Sequence, residues 1–232
     1  MKHLATLVIC LAIMLAGGKL ITGQRAQKLT RSNLPIVDYD STKNVDRARQ
    51  EKNLKYNRPG LTKSLKDNEA VEELLPINAP WMVGLSAIPA DKSDVIIIGR
   101  VVDRKAFISE DKKAVYSELS FKVESVLKGD QVSQDDITSV TRYGGAVRFQ
   151  SGKIHEFRFA AQGFPATDKR YILFLKRDQN DLLILTGYQL MNGFVTPIDG
   201  SPEMGMVFEK YRGVEEPIFL KEVSEVISKG GR

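Results

Sequence analysis

Polar and apolar side chains alternate most regularly over residues 118–124. In an extended chain, Leu119, Phe121 and Val123 fall on one side and the polar residues between them on the other. This period of two residues predicts a strand with one buried face and one solvated face. The alternation breaks at Ser125, which predicts a β-bulge near that residue.

A second strand pattern precedes it at residues 94–103. The apolar run from Val95 to Ile98 is continuous rather than alternating, which is typical of a strand covered on both faces. Gly99 interrupts the run. A glycine inside a strand indicates a bulge or a tight bend; crowding by a neighbouring side chain is the alternative.

Six later segments carry strand patterns of similar length, and most of them end at turn residues. They are 137–143, 146–150, 153–161, 170–177, 182–188 and 194–198. The pairs Gly144-Gly145 and Ser151-Gly152 predict tight hairpin turns, because glycine adopts the positive φ that such turns need. Residues 178–181 predict a further hairpin between two buried strands.

Two segments have helical patterns, one on each side of the strands. Residues 66–75 combine a capping residue, Asp67 or Asn68, with an apolar stripe that ends before Pro76. Residues 215–229 place apolar side chains at helical spacing and predict an amphipathic helix that packs against the sheet. Short strands flanked by helices predict a mainly β fold, a small closed or partly open barrel or a sandwich.

The chain begins with the layout of a secretory signal. Lys2 precedes an apolar run over residues 4–16, and small residues follow. We therefore predict a signal peptide at 1–24 and an extracytoplasmic location, secreted or periplasmic; an uncleaved segment that anchors the chain in the membrane is the alternative. The single cysteine, Cys10, lies inside this segment, so the processed chain would have no thiol for disulfides, catalysis or metal binding.

Residues 25–65 have few large apolar side chains and no sustained periodicity, which predicts a mostly irregular N-terminal arm ahead of a folded domain at 66–232. The chain has a net charge of +5, and residues 25–70 alone hold eleven Lys or Arg against six Asp or Glu. We predict that this basic stretch is solvated or, alternatively, contacts an anionic membrane or cell-wall polymer. Nucleic acid is a poor partner for an exported protein.

Three strings, GRVVDRKAFISEDKKAVYSELSFKVESVLKG, RYGGAVRFQSGK and DKRYILFLKR, are similar to a family of uncharacterised exported bacterial proteins over about residues 93–200. A GxV strand, a strand ending in VxxVLKG and a YxLFL strand also resemble netrin-like modules. This resemblance implies an OB-type barrel. The lack of cysteines after residue 10 departs from animal netrin-like and metalloproteinase-inhibitor domains, so neither their disulfides nor inhibition through an N-terminal cysteine is expected.

Few residues offer catalytic chemistry. His155 is the single histidine outside the N-terminal segment, and we predict a surface or rim position for it. The sequence contains no phosphate-binding loop, dinucleotide fingerprint, zinc-protease motif or serine-hydrolase elbow, and no cofactor or metal is predicted. Because carboxylates remain as acids or bases, the alternative function is a hydrolase of envelope material that uses Glu118, Asp136 or Glu156.

Residues 142–149 mix arginines, aromatics and a glycine turn, as recognition loops do; an ordinary hairpin with an exposed tip is the other interpretation. OB-type barrels bind ligands on a strand face and its loops. By that analogy the predicted ligand-binding residues are Arg142, Tyr143, Arg148, Phe149 and Phe164. The leading hypothesis is an exported, non-enzymatic binding or accessory domain for a protein, a peptide or a cell-envelope polymer. A structural accessory to a surface assembly would differ from it in stoichiometry.

Overall fold

The chain is folded mainly as strands, with helices near both ends of the folded part. A computed structural model describes residues 33–43, 45–57, 73–75, 84–159, 161–200 and 207–230. The predicted signal segment and residues 66–72 lie outside these ranges. In chain order the elements are β1 (Ile36–Asp38), a 3-10 helix (Tyr39–Lys43), α1 (Arg47–Lys55), β2 (Glu73–Leu75), β3 (Val95–Ile108), β4 (Val115–Lys128), β5 (Ile137–Tyr143), β6 (Gly145–Arg148), β7 (Ile154–Phe159), β8 (Arg170–Asp178), β9 (Asp181–Met191), β10 (Phe194–Pro197), a second 3-10 helix (Val207–Tyr211) and α2 (Glu216–Gly230).

The strands β3 and β4 form a long antiparallel pair. On β4 the predicted alternation is confirmed, because Leu119, Phe121 and Val123 are fully buried while the polar residues between them are partly or largely exposed. The register of the pair shifts where Gly99 faces Val123, directly beside the predicted bulge at Ser125. The break in alternation therefore marks a real irregularity in the strand.

Gly99 is needed because the facing strand comes too close for a side chain. A Cβ at this position would lie 2.1 Å from the backbone oxygen of Lys122 and 2.7 Å from Cε1 of Phe121. These distances are well inside van der Waals contact, and the first involves a backbone atom that cannot rotate away. The register shift at Gly99 confirms the predicted irregularity, and the atom that most closely excludes a side chain there belongs to the backbone of the facing strand.

Strand pairing runs from β3 through β4, β5, β9 and β8 and returns to β3. The pairing of β5 with β9 is parallel, and the other four are antiparallel. We call these five strands the strand ring. The strand β10 pairs with β9 outside the ring.

Apolar side chains are buried on both faces of the ring strands. Val95 and Ile97 belong to one cluster with the inward residues of β4, while Ile96 and Ile98 belong to another cluster that includes Phe219 of α2. The continuous run is therefore covered on both sides, as predicted. The C-terminal helix, predicted at 215–229, is observed at Glu216–Gly230 and provides the second cover.

A second sheet has the strand order β1-β6-β7-β2. β6 and β7 form an antiparallel hairpin through residues 151–152, as predicted. At the two edges of this sheet, β1 pairs in parallel with β6 and β2 pairs in parallel with β7. A separate apolar cluster, which includes Val37, Ala106 and Phe157, joins this sheet to the C-terminal half of β3. The predicted hairpin of β8 and β9 is also observed.

The predicted helix over 66–75 is wrong at its C-terminal end. Residues Glu73–Leu75 form β2, which pairs in parallel with Phe157–Phe159 of β7. Pairing with a distant strand outweighs a local helical preference of a few tenths of a kcal/mol per residue. No helix in the described part of the chain is long and apolar enough to cross a membrane.

The expectation of a mostly irregular segment at 25–65 is also wrong for its described part. Residues 36–55 contain β1, a 3-10 helix and α1. β1 is held by pairing with Ala146–Arg148 of β6. Such long-range partners leave no periodicity in the local sequence.

The hairpin predicted at Gly144-Gly145 does not form. β5 pairs with β4 and β9 in the strand ring, whereas β6 pairs with β7 and β1 in the second sheet. Gly144 has φ +98°, and a Cβ there would lie 2.5 Å from the backbone oxygen of Phe157. The two glycines let the chain pass between closely packed sheets, so this turn has no exposed tip.

Candidate functional site: a cleft beside the N-terminal arm

The helix α1 of the N-terminal arm is built almost entirely from polar residues, RARQEKNLK. Asp46 caps its first turn, since its Oδ1 accepts a hydrogen bond of 2.7 Å from the backbone N–H of Arg49. Arg47 and Glu51 add an exposed ion pair of 3.0 Å at i,i+4 spacing. A helix with so little apolar surface must be held on the protein by polar contacts.

Three cations at three-residue spacing, Arg49, Lys52 and Lys55, fix α1 to the strand ring. Arg49 donates to both carboxylate oxygens of Glu118 on β4, at 2.6 and 2.9 Å. Lys52 Nζ lies 2.7 Å from Glu118 and 2.5 Å from Asp181 on β9. Lys55 Nζ lies 2.8 Å from the other oxygen of Asp181. We call these five residues the arm latch.

The latch keeps both of its carboxylates ionised. Burial alone would raise the pKa of Glu118, but hydrogen bonds from Arg49 and Lys52 outweigh burial and hold that pKa below its usual range. The pKa of Asp181 is likewise lowered, because hydrogen bonds from Lys52 and Lys55 outweigh the effect of its burial. The latch is therefore a paired and charged cluster at neutral pH.

Aromatic rings extend the contact beyond the end of α1. Tyr56 is fully buried and stacks on Tyr116 of β4, with ring centroids 4.1 Å apart and planes at 16°. Its hydroxyl donates to Asp181 at 3.0 Å, and the hydroxyl of Tyr116 donates to Asn53 at 2.7 Å. Burial raises the pKa of Tyr116 to about 12, so both phenols stay neutral donors.

A cleft of about 330 Å³ lies between the N-terminal arm and the C-terminal half of β3. We call it the arm cleft. Its lining combines apolar, aromatic and charged side chains, with the arm on one side and consecutive residues of β3 on the other. The lining residues are Ile36, Val37, Asp38, Ser41, Val45, Asn53, Arg104, Lys105, Ala106, Phe107 and Ile108.

Arg104 ties three parts of the chain together beside this cleft. Its Nε donates to Thr167 Oγ1 at 3.1 Å. Its Nη1 donates to the carbonyl oxygens of Asn33 at 2.8 Å and Pro165 at 3.0 Å. The guanidinium is thus held in one orientation by neutral acceptors from the arm and from a distant loop.

Two of the predicted ligand-binding residues lie inside the protein. Arg142 is 2% exposed and forms a buried ion pair with Asp199, which also accepts a hydrogen bond of 3.1 Å from the backbone N–H of Gly163. The guanidinium packs 5.6 Å from the ring centroid of Phe164, which is itself buried. These two residues are structural, because a soluble ligand cannot reach them.

The other three predicted residues lie around β6. Phe149 is buried and stacks on Tyr39 at 5.1 Å, while Tyr143 is half-buried and meets the ring of Tyr56 edge-on at 5.1 Å. Arg148 is exposed and lies 3.3 Å from Asp38, a residue that lines the arm cleft. The structure therefore does not gather the five into one recognition loop, and Arg148 alone borders the cleft from outside.

His155 is buried rather than at the surface, with 9% of its area exposed. Its ring meets Phe149 edge-on at a centroid distance of 4.9 Å. On β7 the buried positions are His155, Phe157 and Phe159, two residues apart. The period of two residues on this strand puts His155 on the same face as Phe157 and Phe159, so alternation alone indicates that His155 is buried.

The three carboxylates considered for hydrolysis lie in separate surroundings. Glu118 belongs to the arm latch, Asp136 accepts a hydrogen bond of 3.2 Å from the backbone of Ser133, and Glu156 lies 3.5 Å from Arg158. A glycosidase acid needs a raised pKa, whereas the pKa of Glu118 is lowered. Among the described residues, no group of three or more His, Cys, Asp or Glu is placed to hold a metal ion.

Apart from Glu118, which was considered as a catalytic carboxylate, the residues that build the cleft and the latch were missed from the sequence. Asp46 followed by cations at 49, 52 and 55 is a readable signal for a capped helix with one basic face. Nothing local, however, connects that face with Glu118 and Asp181, which are 63 or more positions away. No family model and no curated protein matches this chain.

Proposed function

We propose that this chain is an exported, non-enzymatic binding or accessory domain that takes its ligand in the arm cleft. The ligand would be a protein, a peptide or a cell-envelope polymer. The observation that carries the proposal is a cleft of about 330 Å³ whose two walls come from distant parts of the chain. Ligand sites commonly combine apolar walls with a few fixed polar groups, and this lining does so through Phe107, Arg104 and Asp38.

We further propose that the strand ring is an OB-type barrel, the fold implied by the netrin-like resemblance. Numbered within the ring, β3, β4, β5, β8 and β9 are strands 1 to 5, and their spatial order is 1-2-3-5-4. The closing pair of strands 3 and 5 is parallel. This arrangement supports a five-stranded barrel with Greek-key connections.

OB-type barrels bind ligands on the face of strands 2 and 3 and on the loops between strands 1 and 2 and between strands 4 and 5. In this chain α1 and the residues after it cover those elements. Arg49 contacts Glu118 on strand 2, and Lys52 contacts Thr141 on strand 3 at 3.5 Å. Lys55 forms an ion pair with Asp178 at the turn between strands 4 and 5. The usual face is occupied by the chain itself, which favours the adjoining arm cleft as the site.

Because α1 covers the face of strands 2 and 3, fewer cations of residues 25–70 are available to bind an anionic surface. Three of these cations are engaged in the arm latch and are not free to attract an anionic surface. We propose that the remaining positive charges of residues 25–70 supply any contact with an anionic envelope polymer. The predicted signal at 1–24 would place the chain where such polymers occur.

Retention of the purified chain on envelope fractions tests the proposal. Ser41→Trp would fill the mouth of the arm cleft, and Ser224→Trp, on the exposed side of α2, is the matched control. We expect at least one protein or polysaccharide fraction to retain the chain and the Ser224→Trp variant, and to retain the Ser41→Trp variant much less. Equal retention of both variants, or no retention of the unmodified chain, would refute binding in the cleft.

A further inference from the structure

Arg104 is a partly buried cation that no carboxylate neutralises among the described residues. Among the described residues, the other arginines whose side chains are no more than 30% exposed contact an acid: Arg49 contacts Glu118, Arg142 contacts Asp199, and Arg170 contacts Glu124 and Glu216. Burial lowers the pKa of Arg104, and no nearby carboxylate offsets that effect. A charge left in this state gains from the arrival of an anion.

The guanidinium also has donors to spare. An arginine carries five N–H groups. The single N–H of Nε donates to Thr167, and the two N–H groups of Nη1 donate to the carbonyl oxygens of Asn33 and Pro165. The two N–H groups of Nη2 make no hydrogen bond within the described part of the chain. Because the other side of the guanidinium is clamped, these two donors are held in place before any ligand binds.

The surroundings of Arg104 in the arm cleft are positive in balance. Lys105 also lines the cleft and is 69% exposed, with its Nζ 3.3 Å from Asp103. Among the described residues of the lining, Asp38 is the one acid, and the exposed Arg148 lies 3.3 Å from its carboxylate. Both of these pairs are exposed to solvent and therefore weak, and Arg104 is the charged residue of the described lining that no carboxylate contacts.

We propose that the arm cleft binds an anionic group of its ligand, a carboxylate or a phosphate, through Nη2 of Arg104, while the exposed Lys105, on the opposite face of β3, adds positive potential at the cleft. This inference rests on the proposed function and names the chemistry that the cleft selects. Arginine suits the role, because its planar fork presents directed donors to carboxylate and phosphate oxygens. An acidic peptide and a phosphate-containing polymer share this chemistry.

Titration calorimetry at low salt separates the two sources. The probes are an acetylated triglutamate peptide for the carboxylate, glycerol 3-phosphate for the phosphate, and glycerol as the uncharged reference. We expect at least one anionic probe to bind and glycerol not to bind. Arg104→Gln should weaken that binding by about tenfold or more, which is the usual loss for a hydrogen bond to a charged group.

Two further variants guard against a purely structural effect of Arg104. Lys105→Gln changes an exposed side chain, so it should leave the fold intact and weaken binding by about fivefold. Arg100→Gln removes the same charge from the same strand outside the cleft lining, and should leave the affinity within about twofold. Binding that is unchanged in both Arg104→Gln and Lys105→Gln, equal loss in Arg100→Gln, or no binding of either anion would overturn the inference.

The outcomes also separate this inference from the proposed function. If envelope fractions retain the Arg104→Gln and Lys105→Gln variants as well as the unmodified chain, the cleft binds without an anion and only the anion site is wrong. If the anionic probes bind at Arg104 but no envelope fraction retains the chain, the anion site stands and the proposed function is wrong.

Discussion

Replacing Glu118 by glutamine should loosen the N-terminal arm, and the size of the effect follows from the contacts of the arm latch. The carboxylate accepts two hydrogen bonds from Arg49 and lies 2.7 Å from Lys52 Nζ. Its side chain is 16% exposed, so solvent screens these interactions little. Glutamine has nearly the same shape but carries no charge and offers one acceptor oxygen instead of two.

The expected loss is about 2–3 kcal/mol of the free energy that docks the arm. One charge-assisted hydrogen bond from Arg49 disappears and the other weakens; such bonds contribute about 1.5–3 kcal/mol each, against about 1 kcal/mol for neutral ones. Lys52 keeps its contact with Asp181, which limits the effect. A change of this size raises the population of undocked arm by about 30- to 150-fold.

Hydrogen exchange read out by mass spectrometry should show this change directly. In Glu118→Gln we expect faster exchange over residues 47–55, with unchanged exchange in β3 and β8, because the ring is held by its own core. Glu51→Gln on the exposed side of α1 is the matched control and should cost less than about 0.5 kcal/mol. Unchanged exchange in the arm of Glu118→Gln, or equal effects of the two variants, would refute the assigned role of the latch.

Three more outcomes follow from the structure. The pKa values of Glu118 and Asp181 are lowered in the folded chain, so the stability that these carboxylates contribute is complete above about pH 5 and is lost as the pH falls through the lowered values. Protection of the arm in hydrogen exchange should therefore decline below about pH 4. A decline in protection when the pH is raised from 6 to 8 would contradict this. Gly99→Ala should cost about 3 kcal/mol in urea unfolding, because its Cβ would overlap the backbone of the facing strand. A loss below about 1 kcal/mol would show that the strands separate easily there. Arg142→Met should lower the free energy of unfolding by about 3–5 kcal/mol, because it leaves the buried Asp199 without its counter-charge. Adding Asp199→Asn should recover part of that loss in the same assay. Further destabilisation by the second substitution would argue against the ion pair.

Much of the mainly β architecture was predictable from local pattern. The alternation on β4, the break at Ser125 and the continuous run of β3 each reflect which faces of a strand are buried. The C-terminal helix and the hairpin of β8 and β9 were equally readable from periodicity and turn residues. Burial of His155 was also implied by the period of β7.

The candidate site was not predictable in the same way. Arg142 looked like a recognition residue because arginine, aromatics and glycine are adjacent in sequence, yet its environment is set by Asp199, 57 positions later. The helix predicted at 66–75 failed for a related reason, since Glu73–Leu75 pair with β7. In both places a distant partner determines whether a side chain or a backbone group faces water.

By itself the sequence determined the strands of the strand ring, the irregularity near Ser125 and the uneven charge, because periodicity, glycine and composition act over a few neighbouring residues. Only the tertiary structure decided that the basic arm folds into α1, docks through Glu118 and Asp181, and leaves a cleft beside Arg104. These features depend on ion pairs and strand pairings between residues far apart in the chain. The strength of the ion pairs depends on how far the distant partners bury each other's charges, which no local pattern specifies.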